Sequence, residues 1–321
     1  MHIVIPDDYQ DAVRQLDCFK LLSGHTVTVL HDSASDIDAL AEKFKDADCL
    51  VLTRERTRIT RALLDRLPKL KLISQTGKVG EHIDLRACSE RKVAVTEGVG
   101  SPIAPSELTW GLIMASRRTL CRSVQDMKLG LWQTNIGVAL HGQTLGIWGY
   151  GKIGRLVAGY GQAFGMKVLV WGGENSRKAA LEHGYQAAAT RAEFFHGADI
   201  VSLHLRLHPD TRGIVTLDDL RAMKASALLV NTSRAELIAA GALETALNEG
   251  RPGFAALDVY AEEPVLDPSF PLLRMANVLC TPHLGYVEKS GYELYFGAAF
   301  KNVVDFCAGR PKNIANPDAL I

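Results

Sequence analysis

The chain has 321 residues, 47% of them apolar and 22% charged, and its 36 lysines and arginines balance its 36 aspartates and glutamates. This composition excludes a basic nucleic-acid surface and an acidic tail, and the length suffices for two domains of about 100–200 residues each. The six cysteines form no C-x-x-C pair, and no run reaches the ~18 apolar residues of a membrane span. We therefore expect a cytoplasmic protein with reduced thiols and neither a membrane nor a nucleic-acid partner.

Short β-branched runs alternate with helical patterns over the first hundred residues. The predicted strands are HIVI at 2–5, TVTVL at 26–30, CLVLT at 49–53, KLIS at 71–74 and VAVT at 93–96. Between the second and third strands, Ile37, Leu40, Ala41 and Phe44 recur at helical spacing. This alternation predicts a small parallel sheet covered by helices.

A connecting helix and a second series of strands follow. We predict the helix at 105–118 and interpret its run WGLIMA as a buried face that belongs to a dimer contact. The predicted strands are TLGIW at 144–148, KVLVW at 167–171, DIVSLHL at 199–205, ALLVNTS at 227–233, FAALDV at 254–259 and NVLCTPH at 277–283. Helix candidates separate them at 152–164, 176–183, 217–224 and 240–249. Six strands in this order match a doubly wound nucleotide-binding sheet.

The segment TLGIWGYGKIGR carries the glycine fingerprint G-x-G-x-x-G between a predicted strand and a predicted helix. Gly149 permits a tight turn, Gly151 leaves room for a pyrophosphate, and Gly154 lets the helix approach the strand. The helix that begins at Lys152 and Ile153 directs its first N–H groups and its dipole at the phosphates. The segment therefore predicts a dinucleotide site.

The end of the next strand bears on the choice between NAD and NADP. An acidic side chain about 20 residues after the fingerprint binds the ribose of NAD, but VLVWGGENSR has Gly172 and Gly173 there. Ser176 and Arg177 follow and are candidates to bind a 2′-phosphate, so we favour NADP over NAD. In the alternative, Glu174 binds the NAD ribose and Arg177 lies on a solvated helix face.

Four charged or titratable side chains follow the later strands, at the sheet edge where open α/β folds bind ligands. They are Arg234 in VNTSRAELI, Asp258 and Glu263 in LDVYAEEPV, and His283 in LCTPHLG. An arginine polarises a carbonyl, a histidine donates a proton to its oxygen, and a carboxylate beside the imidazole holds its orientation. We expect no metal, because Cys280 and His283 lack two more suitably spaced ligands. The set predicts the reduction of a 2-oxo acid.

The tail at 287–309 is helical in period and has no strand of its own, so we expect it to pack on the first half. The predicted fold is α/β with two doubly wound parallel-sheet domains. A Rossmann nucleotide-binding domain at 101–286 is inserted into a flavodoxin-like substrate domain formed by 1–100 and 287–321.

The motifs GYGKIG, VNTSR, LDVYAEEP and TPHLG, in this order, resemble those of the D-isomer-specific 2-hydroxyacid dehydrogenase family. The likeness covers nearly the whole chain, and the family includes phosphoglycerate dehydrogenases and hydroxypyruvate/glyoxylate reductases. The resemblance implies an NAD(P)-dependent dehydrogenase that acts on a small 2-oxo or D-2-hydroxy acid, most simply of the glyoxylate or hydroxypyruvate type, as a homodimer.

The resemblance also implies roles for the four residues at the strand ends. Arg234 binds the substrate, His283 donates the proton, and Glu263 is the partner of the histidine. Asp258 contacts the nicotinamide carboxamide.

Two further segments have binding roles in the same family. LHLRLHPDTRG places Leu205 and Thr211 at the adenine side, and the backbone of the loop QTGKVGEHIDL nominates Lys78 and Val79 as binders of the substrate carboxylate. The chain departs from the family at Val79, where glycine is common, and in TEGVGSP, which replaces an Asn-x-Pro-Gly segment. These departures prevent a transfer of substrate identity.

Three other functions remain open from the sequence. Corepressors that resemble the family use the fold as a nucleotide-sensing dimer, and formate or phosphite oxidation occurs on the same scaffold. An L-lactate-type enzyme is disfavoured, since its nucleotide fold begins near the N-terminus.

Overall fold

The computed structural model describes residues 1–32, 34 and 36–320. The chain forms two compact units. Unit 1 comprises Met1–Ser101 and Glu288–Ile321, and unit 2 comprises Pro102–Val287. The chain therefore leaves unit 1, builds the whole of unit 2, and returns to unit 1. Strands are numbered β1–β12 and helices α1–α12 in chain order.

Unit 1 contains a five-stranded parallel sheet in the order β2-β1-β3-β4-β5. Its strands are β1 His2–Ile5, β2 Thr26–Val29, β3 Cys49–Leu52, β4 Leu72–Gln75 and β5 Ala94–Thr96. Its helices are α1 Ile37–Phe44, α2 Arg61–Leu64, α3 Leu85–Glu90 and α12 Lys289–Cys307. The strand order is that of the flavodoxin-like doubly wound sheet, as the sequence predicted.

Helices pack against this sheet and beside it. The α1 helix begins after Asp36, whose side chain accepts a hydrogen bond from the Ala39 N–H at 2.9 Å, and it buries Leu40 and Phe44. The α12 helix, from the C-terminal tail, contacts β4, where the Ser74 hydroxyl donates to the carbonyl of Ala299. The central strands β3 and β4 are fully buried, which explains the continuous apolar run of β3.

Unit 2 contains a seven-stranded parallel sheet in the order β12-β11-β10-β9-β6-β7-β8. Its strands are β6 Thr144–Trp148, β7 Lys167–Trp171, β8 Gln186–Ala187, β9 Ile200–Leu203, β10 Leu228–Asn231, β11 Phe254–Leu257 and β12 Val278–Cys280. The strand order is that of the Rossmann fold with one added edge strand, so the predicted doubly wound architecture is confirmed. The prediction of six strands was wrong by one, because β8 has only two residues and no apolar run to reveal it.

The helices of unit 2 begin with two in succession where the sequence predicted one. They are α4 Ile103–Arg117, α5 Leu120–Lys128, α6 Lys152–Ala163, α7 Glu174–Glu182, α8 Arg191–Gly197, α9 Leu217–Arg221, α10 Ala242–Asn248 and α11 Pro271–Arg274. Leu112 and Ile113 of the WGLIMA run are buried in the unit's own core. The apolar face of α4 is therefore used within unit 2. Among the described residues, no helix is long and apolar enough to cross a membrane.

Several strands of unit 2 end earlier than the sequence predicted. The β9 strand ends at Leu203, β10 at Asn231, β11 at Leu257 and β12 at Cys280, two or three residues before the predicted ends. The residues beyond these ends leave the sheet and form loops. Those loops carry most of the predicted site residues.

Candidate active site

Six strands of unit 2 end side by side at one edge of the sheet. The strand register places in one row Trp171, Trp148, Leu203, Asn231, Leu257 and Cys280. Because every strand is parallel, the residues that follow these positions emerge at the same edge. The glycine loop, the 204–211 segment, and the loops with Arg234, Asp258 and His283 therefore share this edge, where ligands of open α/β sheets bind.

The three glycines of the fingerprint differ in what a side chain at each position would meet. Gly149 has φ +100°, and a Cβ on it would lie 2.5 Å from the carbonyl oxygen of His204. A Cβ on Gly154 would collide with the carbonyl oxygen of Gly149. A Cβ on Gly151 would meet no described atom within 4 Å. Two glycines are thus required by packing, whereas the third borders open space.

The glycine loop leads directly into α6. Lys152 and Ile153 form its first turn, and among the described residues no side chain caps the N–H groups at this end. Backbone donors and the positive end of the helix dipole therefore face the open space beside Gly151. This is the donor set that a pyrophosphate requires, so the residues fit a dinucleotide.

The end of β7 has no room for an acidic side chain without a shift. A Cβ on Gly172 would lie 3.2 Å from the Cβ of Ser176. The Arg177 guanidinium carbon lies 5.2 Å from the ring centroid of Trp171, and its Nε has no hydrogen-bond partner among the described residues. Glu174, the alternative ribose binder, is exposed in the first turn of α7.

The two residues predicted at the adenine side differ in their surroundings. The Cδ2 atom of Leu205 lies 3.2 Å from the Cβ position of Gly149, so this side chain borders the glycine loop. The Thr211 hydroxyl donates to the carbonyl of Arg206 at 2.7 Å and accepts from the His208 N–H at 2.8 Å. Thr211 therefore stabilises its own turn through its hydroxyl.

Asp258 is fully buried and holds the loop that carries His283. Its Oδ1 accepts from the Thr281 hydroxyl and the Leu284 N–H, both at 2.7 Å, and its Oδ2 accepts from the Gly285 N–H at 2.9 Å. Burial raises the pKa of Asp258, while these hydrogen bonds oppose the rise. The observed contacts of Asp258 are therefore structural, and its contact with a nicotinamide remains a prediction.

Glu263 and His283 form a direct pair. The Nδ1 atom of His283 lies 2.6 Å from Oε2 of Glu263, and Oε1 of Glu263 accepts from the Tyr260 N–H at 2.9 Å. The Tyr286 ring packs edge-on against the imidazole, with centroids 5.7 Å apart. His283 itself has φ +52°, an uncommon conformation for a non-glycine residue that the Asp258 contacts maintain. The contact with Glu263 therefore fixes the imidazole through Nδ1, and Nε2 is the ring nitrogen that Glu263 does not contact.

The loop of Arg234 is fixed by the end of β10. The Asn231 side chain donates to the carbonyl of Arg234 at 2.8 Å and accepts from the Ser233 N–H at 3.1 Å. The Ser233 hydroxyl donates to the carbonyl of Leu203 on the neighbouring strand. Arg234 also donates from Nη1 to the Ser233 carbonyl at 2.7 Å. The VNTSR motif therefore sets the backbone of Arg234 at the sheet edge.

The predicted carboxylate-binding loop of unit 1 has an internal partner that the sequence reading missed. The Val79 N–H donates to Oε1 of Glu97 at 3.0 Å, and the Lys78 ammonium donates to Oε2 at 2.5 Å. The signal was present in TEGVGSP, where Glu97 stands in the segment that departs from the family pattern. Tyr260, Thr281 and Asn231 were missed as well, because their hydrogen bonds depend on the loop conformations.

The chain has clear relatives among known proteins. Residues 110–285 match the model of the D-isomer specific 2-hydroxyacid dehydrogenase, NAD binding domain. A glyoxylate reductase of Aeropyrum pernix is 33% identical over 294 residues, which cover 88% of this chain and 87% of that protein. A D-3-phosphoglycerate dehydrogenase of Methanocaldococcus jannaschii is 38% identical over 251 residues, which cover 77% of this chain. That match spans 47%, about half, of the longer relative.

A solved structure supports the same assignment. The phosphoglycerate oxidoreductase of Vibrio cholerae o395 is similar with a TM-score of 0.94 and 56% identity, over 96% of this chain and 99% of that one. The family model covers more than half of the chain, and it includes the glycine loop, Arg234, Glu263 and His283. The chain belongs to the D-isomer specific 2-hydroxyacid dehydrogenase family.

Proposed function

We propose that this protein is an oxidoreductase that interconverts a small 2-oxo acid and the corresponding D-2-hydroxy acid with a nicotinamide cofactor. The observation that carries the proposal is the Glu263–His283 pair, with a 2.6 Å contact, at the sheet edge that also bears the glycine loop. A histidine held by a carboxylate is suited to proton transfer at neutral pH. The cofactor supplies or accepts the hydride.

Side chains of the protein carry out proton transfer, substrate binding and positioning of the loop. His283 donates a proton from Nε2 to the carbonyl oxygen during reduction, while Glu263 holds the imidazole through Nδ1 and stabilises its positive charge. Arg234 binds the substrate and stabilises the charge that develops on the carbonyl oxygen. Asp258 holds the His283 loop in place. The fixed Nδ1 contact defines which ring nitrogen faces the substrate.

Glyoxylate and hydroxypyruvate are the substrates that we propose first. Support comes from the relatives, since the Aeropyrum pernix protein is named as a glyoxylate reductase and a Blautia hydrogenotrophica relative, 28% identical, as a hydroxypyruvate reductase. Other relatives are named as phosphoglycerate dehydrogenases, so 3-phosphohydroxypyruvate, the 2-oxo acid that corresponds to 3-phosphoglycerate, belongs in the same test.

We further propose that the cofactor is NADP in preference to NAD. The support is the glycine at position 172, with Ser176 beside it and the Arg177 guanidinium carbon 5.2 Å from the centroid of the Trp171 ring. A guanidinium close to this strand end is suited to binding a phosphate. The exposed Glu174 is the residue through which NAD would be preferred instead.

A homodimer is the assembly that we propose. Residues 120–138 of unit 2 expose a series of large apolar side chains, namely Leu120, Val124, Met127, Leu129, Leu131, Trp132, Ile136 and Val138. Ile136 is 96% exposed and Leu129 is 75% exposed. Monomers rarely leave so many neighbouring apolar groups in water, and family resemblance favours a second copy as the cover. Sedimentation velocity at micromolar protein tests this, and a monomer would contradict it.

The free thiols support a proposed location in the cytoplasm. All six cysteines are unpaired with one another, and Cys49 and Cys88 are buried. Buried reduced thiols are typical of a reducing compartment.

The deciding experiment is a panel of 2-oxo acids assayed with NADH and NADPH in parallel. We expect glyoxylate or hydroxypyruvate to be reduced, faster with NADPH, and the His283→Ala variant to lose at least about 100-fold in kcat. His196→Ala is the matched control, since it removes an exposed histidine of α8. Cofactor binding without turnover of any acid would instead favour the nucleotide-sensing corepressor. Formate and phosphite are assayed separately with NAD⁺ and NADP⁺, and their turnover alone would favour those oxidations.

A further inference from the structure

The loop that follows β4 already holds a carboxylate, which is the protein's own. Two donors converge on Glu97, one on each oxygen: the Val79 N–H at 3.0 Å and the Lys78 ammonium at 2.5 Å. A backbone N–H and a cation that share one carboxylate form a charge-assisted anion site. The loop lies at the carboxyl end of β4, the edge at which parallel sheets bind ligands.

The backbone of Glu97 is fixed on several sides. Its N–H donates to the carbonyl of Asn313 at 2.8 Å, and its carbonyl accepts from the Asn302 side chain at 3.0 Å. The Gly98 N–H donates to the carbonyl of Gly77 at 2.8 Å. A Cβ on Gly98 would lie 2.6 Å from the carbonyl oxygen of Gln75, so the two segments are in close contact. The position of Glu97 is therefore built into the end of the sheet.

The contacts with Lys78 and Val79 also stabilise the ionised form of the Glu97 carboxyl. Burial raises the pKa of the Glu97 carboxyl, but the hydrogen bonds from Lys78 and Val79 lower it by more, so its pKa lies below the ordinary value. The side chain of Glu97 is 27% exposed, whereas that of Lys78 is 75% exposed. At neutral pH an ionised carboxylate therefore occupies the loop, and it remains open to competition from solvent.

We propose that Glu97 determines substrate affinity by occupying the carboxylate position of the 76–80 loop. The carboxylate of a 2-oxo acid binds at Val79 and Lys78 only by displacing this side chain. The inference rests on the proposed function, because it concerns the same class of substrate. It goes beyond that function because it gives Glu97 a role in substrate selectivity. Glu97 lowers the affinity for short monocarboxylates, since these acids have few groups besides the carboxylate and the carbonyl whose binding could offset the free-energy cost of displacing Glu97.

The test compares Glu97→Gln with Glu81→Gln. Glutamine keeps an oxygen that accepts from the Val79 N–H, so the loop retains its shape while the competing charge is lost. Glu81 is an exposed carboxylate that directly follows the loop, and its replacement controls for a general change in charge. We expect the KM for glyoxylate and hydroxypyruvate to fall about tenfold in Glu97→Gln with kcat nearly unchanged, and to stay at the wild-type value in Glu81→Gln.

Binding of oxalate, a dicarboxylate that is not reduced, gives a readout without turnover. We expect calorimetry to show about tenfold tighter oxalate binding to Glu97→Gln than to the wild type. Equal or weaker binding, or an unchanged or raised KM, overturns the inference. A wild type that reduces no 2-oxo acid refutes the proposed function, while oxalate binding still decides the role of Glu97.

A second variant covers a failure of Glu97→Gln to fold. Glu97→Asp keeps the charge but shortens the side chain by one methylene, which withdraws the carboxylate from the Val79 N–H. We expect its KM for the same acids to fall about threefold, since the competing hydrogen bond is weakened but the charge near Lys78 remains. A KM at or above the wild-type value in this variant overturns the inference as well.

Discussion

The loop after β4 in unit 1 and the loop after β6 in unit 2 both follow the carboxyl end of a parallel strand, but one is filled and the other is open. In unit 1 the Val79 N–H donates to the carboxylate of Glu97. In unit 2 a Cβ on Gly151 would meet no described atom within 4 Å. Both loops present backbone donors at the carboxyl end of a parallel strand. The two loops differ in whether a side chain of the protein itself occupies these donors.

The neighbouring strand decides that occupancy. Beside the loop of unit 1, β5 continues into Glu97, whose side chain reaches the loop donors. Beside the loop of unit 2, β9 continues into His204 and Leu205, which lie next to the Cβ position of Gly149 and leave that of Gly151 open. In these two loops, the donors are open to an external anion where the adjacent strand supplies no anion of its own, and they are occupied where it supplies Glu97.

The largest expected effect comes from closing the open loop with a single methyl group. Gly151→Ala places a Cβ in the space assigned to the pyrophosphate, without a clash in the protein itself. We expect its dissociation constant for NADPH and NADH to rise about 300-fold, equivalent to about 3.4 kcal/mol. Calorimetry measures the binding, and urea unfolding checks that the fold is retained.

Gly159→Ala is the matched control for this change. Gly159 lies inside α6 and likewise has no described atom within 4 Å of its Cβ position. Alanine there should leave cofactor binding unchanged and add about 0.5–1 kcal/mol to the free energy of unfolding. Equal cofactor affinity in the two variants would remove the distinction between the open and the filled loop.

An intermediate effect is expected from separating Glu97 from its loop. A Cβ on Gly98 would lie 2.6 Å from the carbonyl oxygens of Gln75 and Thr76, which are backbone atoms with little freedom to move. We expect Gly98→Ala to lose about 2–3 kcal/mol of unfolding free energy in urea. Gly100→Ala, whose Cβ position is open, should change it by less than about 0.5 kcal/mol. Similar values for both variants would show that the close approach at Gly98 is not required.

The smallest expected effect is a loss of folding stability at acidic pH. His204, beside the loop of unit 2, and Glu97, beside the loop of unit 1, should contribute to this loss at different pH values. Burial lowers the pKa of His204 from 6.5 to about 4. Between these values the unfolded chain binds a proton that the folded chain does not, so stability falls as the pH falls through this window. Glu97, whose pKa is lowered from 4.5, loses its contribution only at more acidic pH.

Urea unfolding at pH 7 and pH 5 measures this contribution. Because the His204→Gln side chain does not titrate, we expect the variant to lose about 1–2 kcal/mol less than the wild type between the two pH values. An equal loss in both proteins would place the acid sensitivity elsewhere in the chain.

Much of the site could be predicted from the sequence because its chemistry is local. The spacing of Gly149, Gly151 and Gly154 indicates a strand, a turn and a helix, and the structure has them in that order. The motif around Asn231 indicates the loop of Arg234 in the same way. The pairing of Glu263 with His283 was implied by family resemblance, and the 2.6 Å contact is present. Their roles in catalysis remain to be measured.

The sequence by itself determined the alternation of strands and helices and the two doubly wound sheets, since apolar periodicity and glycine spacing act over a few residues. The tertiary structure alone decided that β8 adds a seventh strand, that Asp258 holds the loop of His283, and that Glu97 occupies the 76–80 loop. Each of these depends on segments far apart in the chain meeting at a sheet edge. Which segments meet at that edge depends on strand order and register, and a local sequence pattern does not specify either of them.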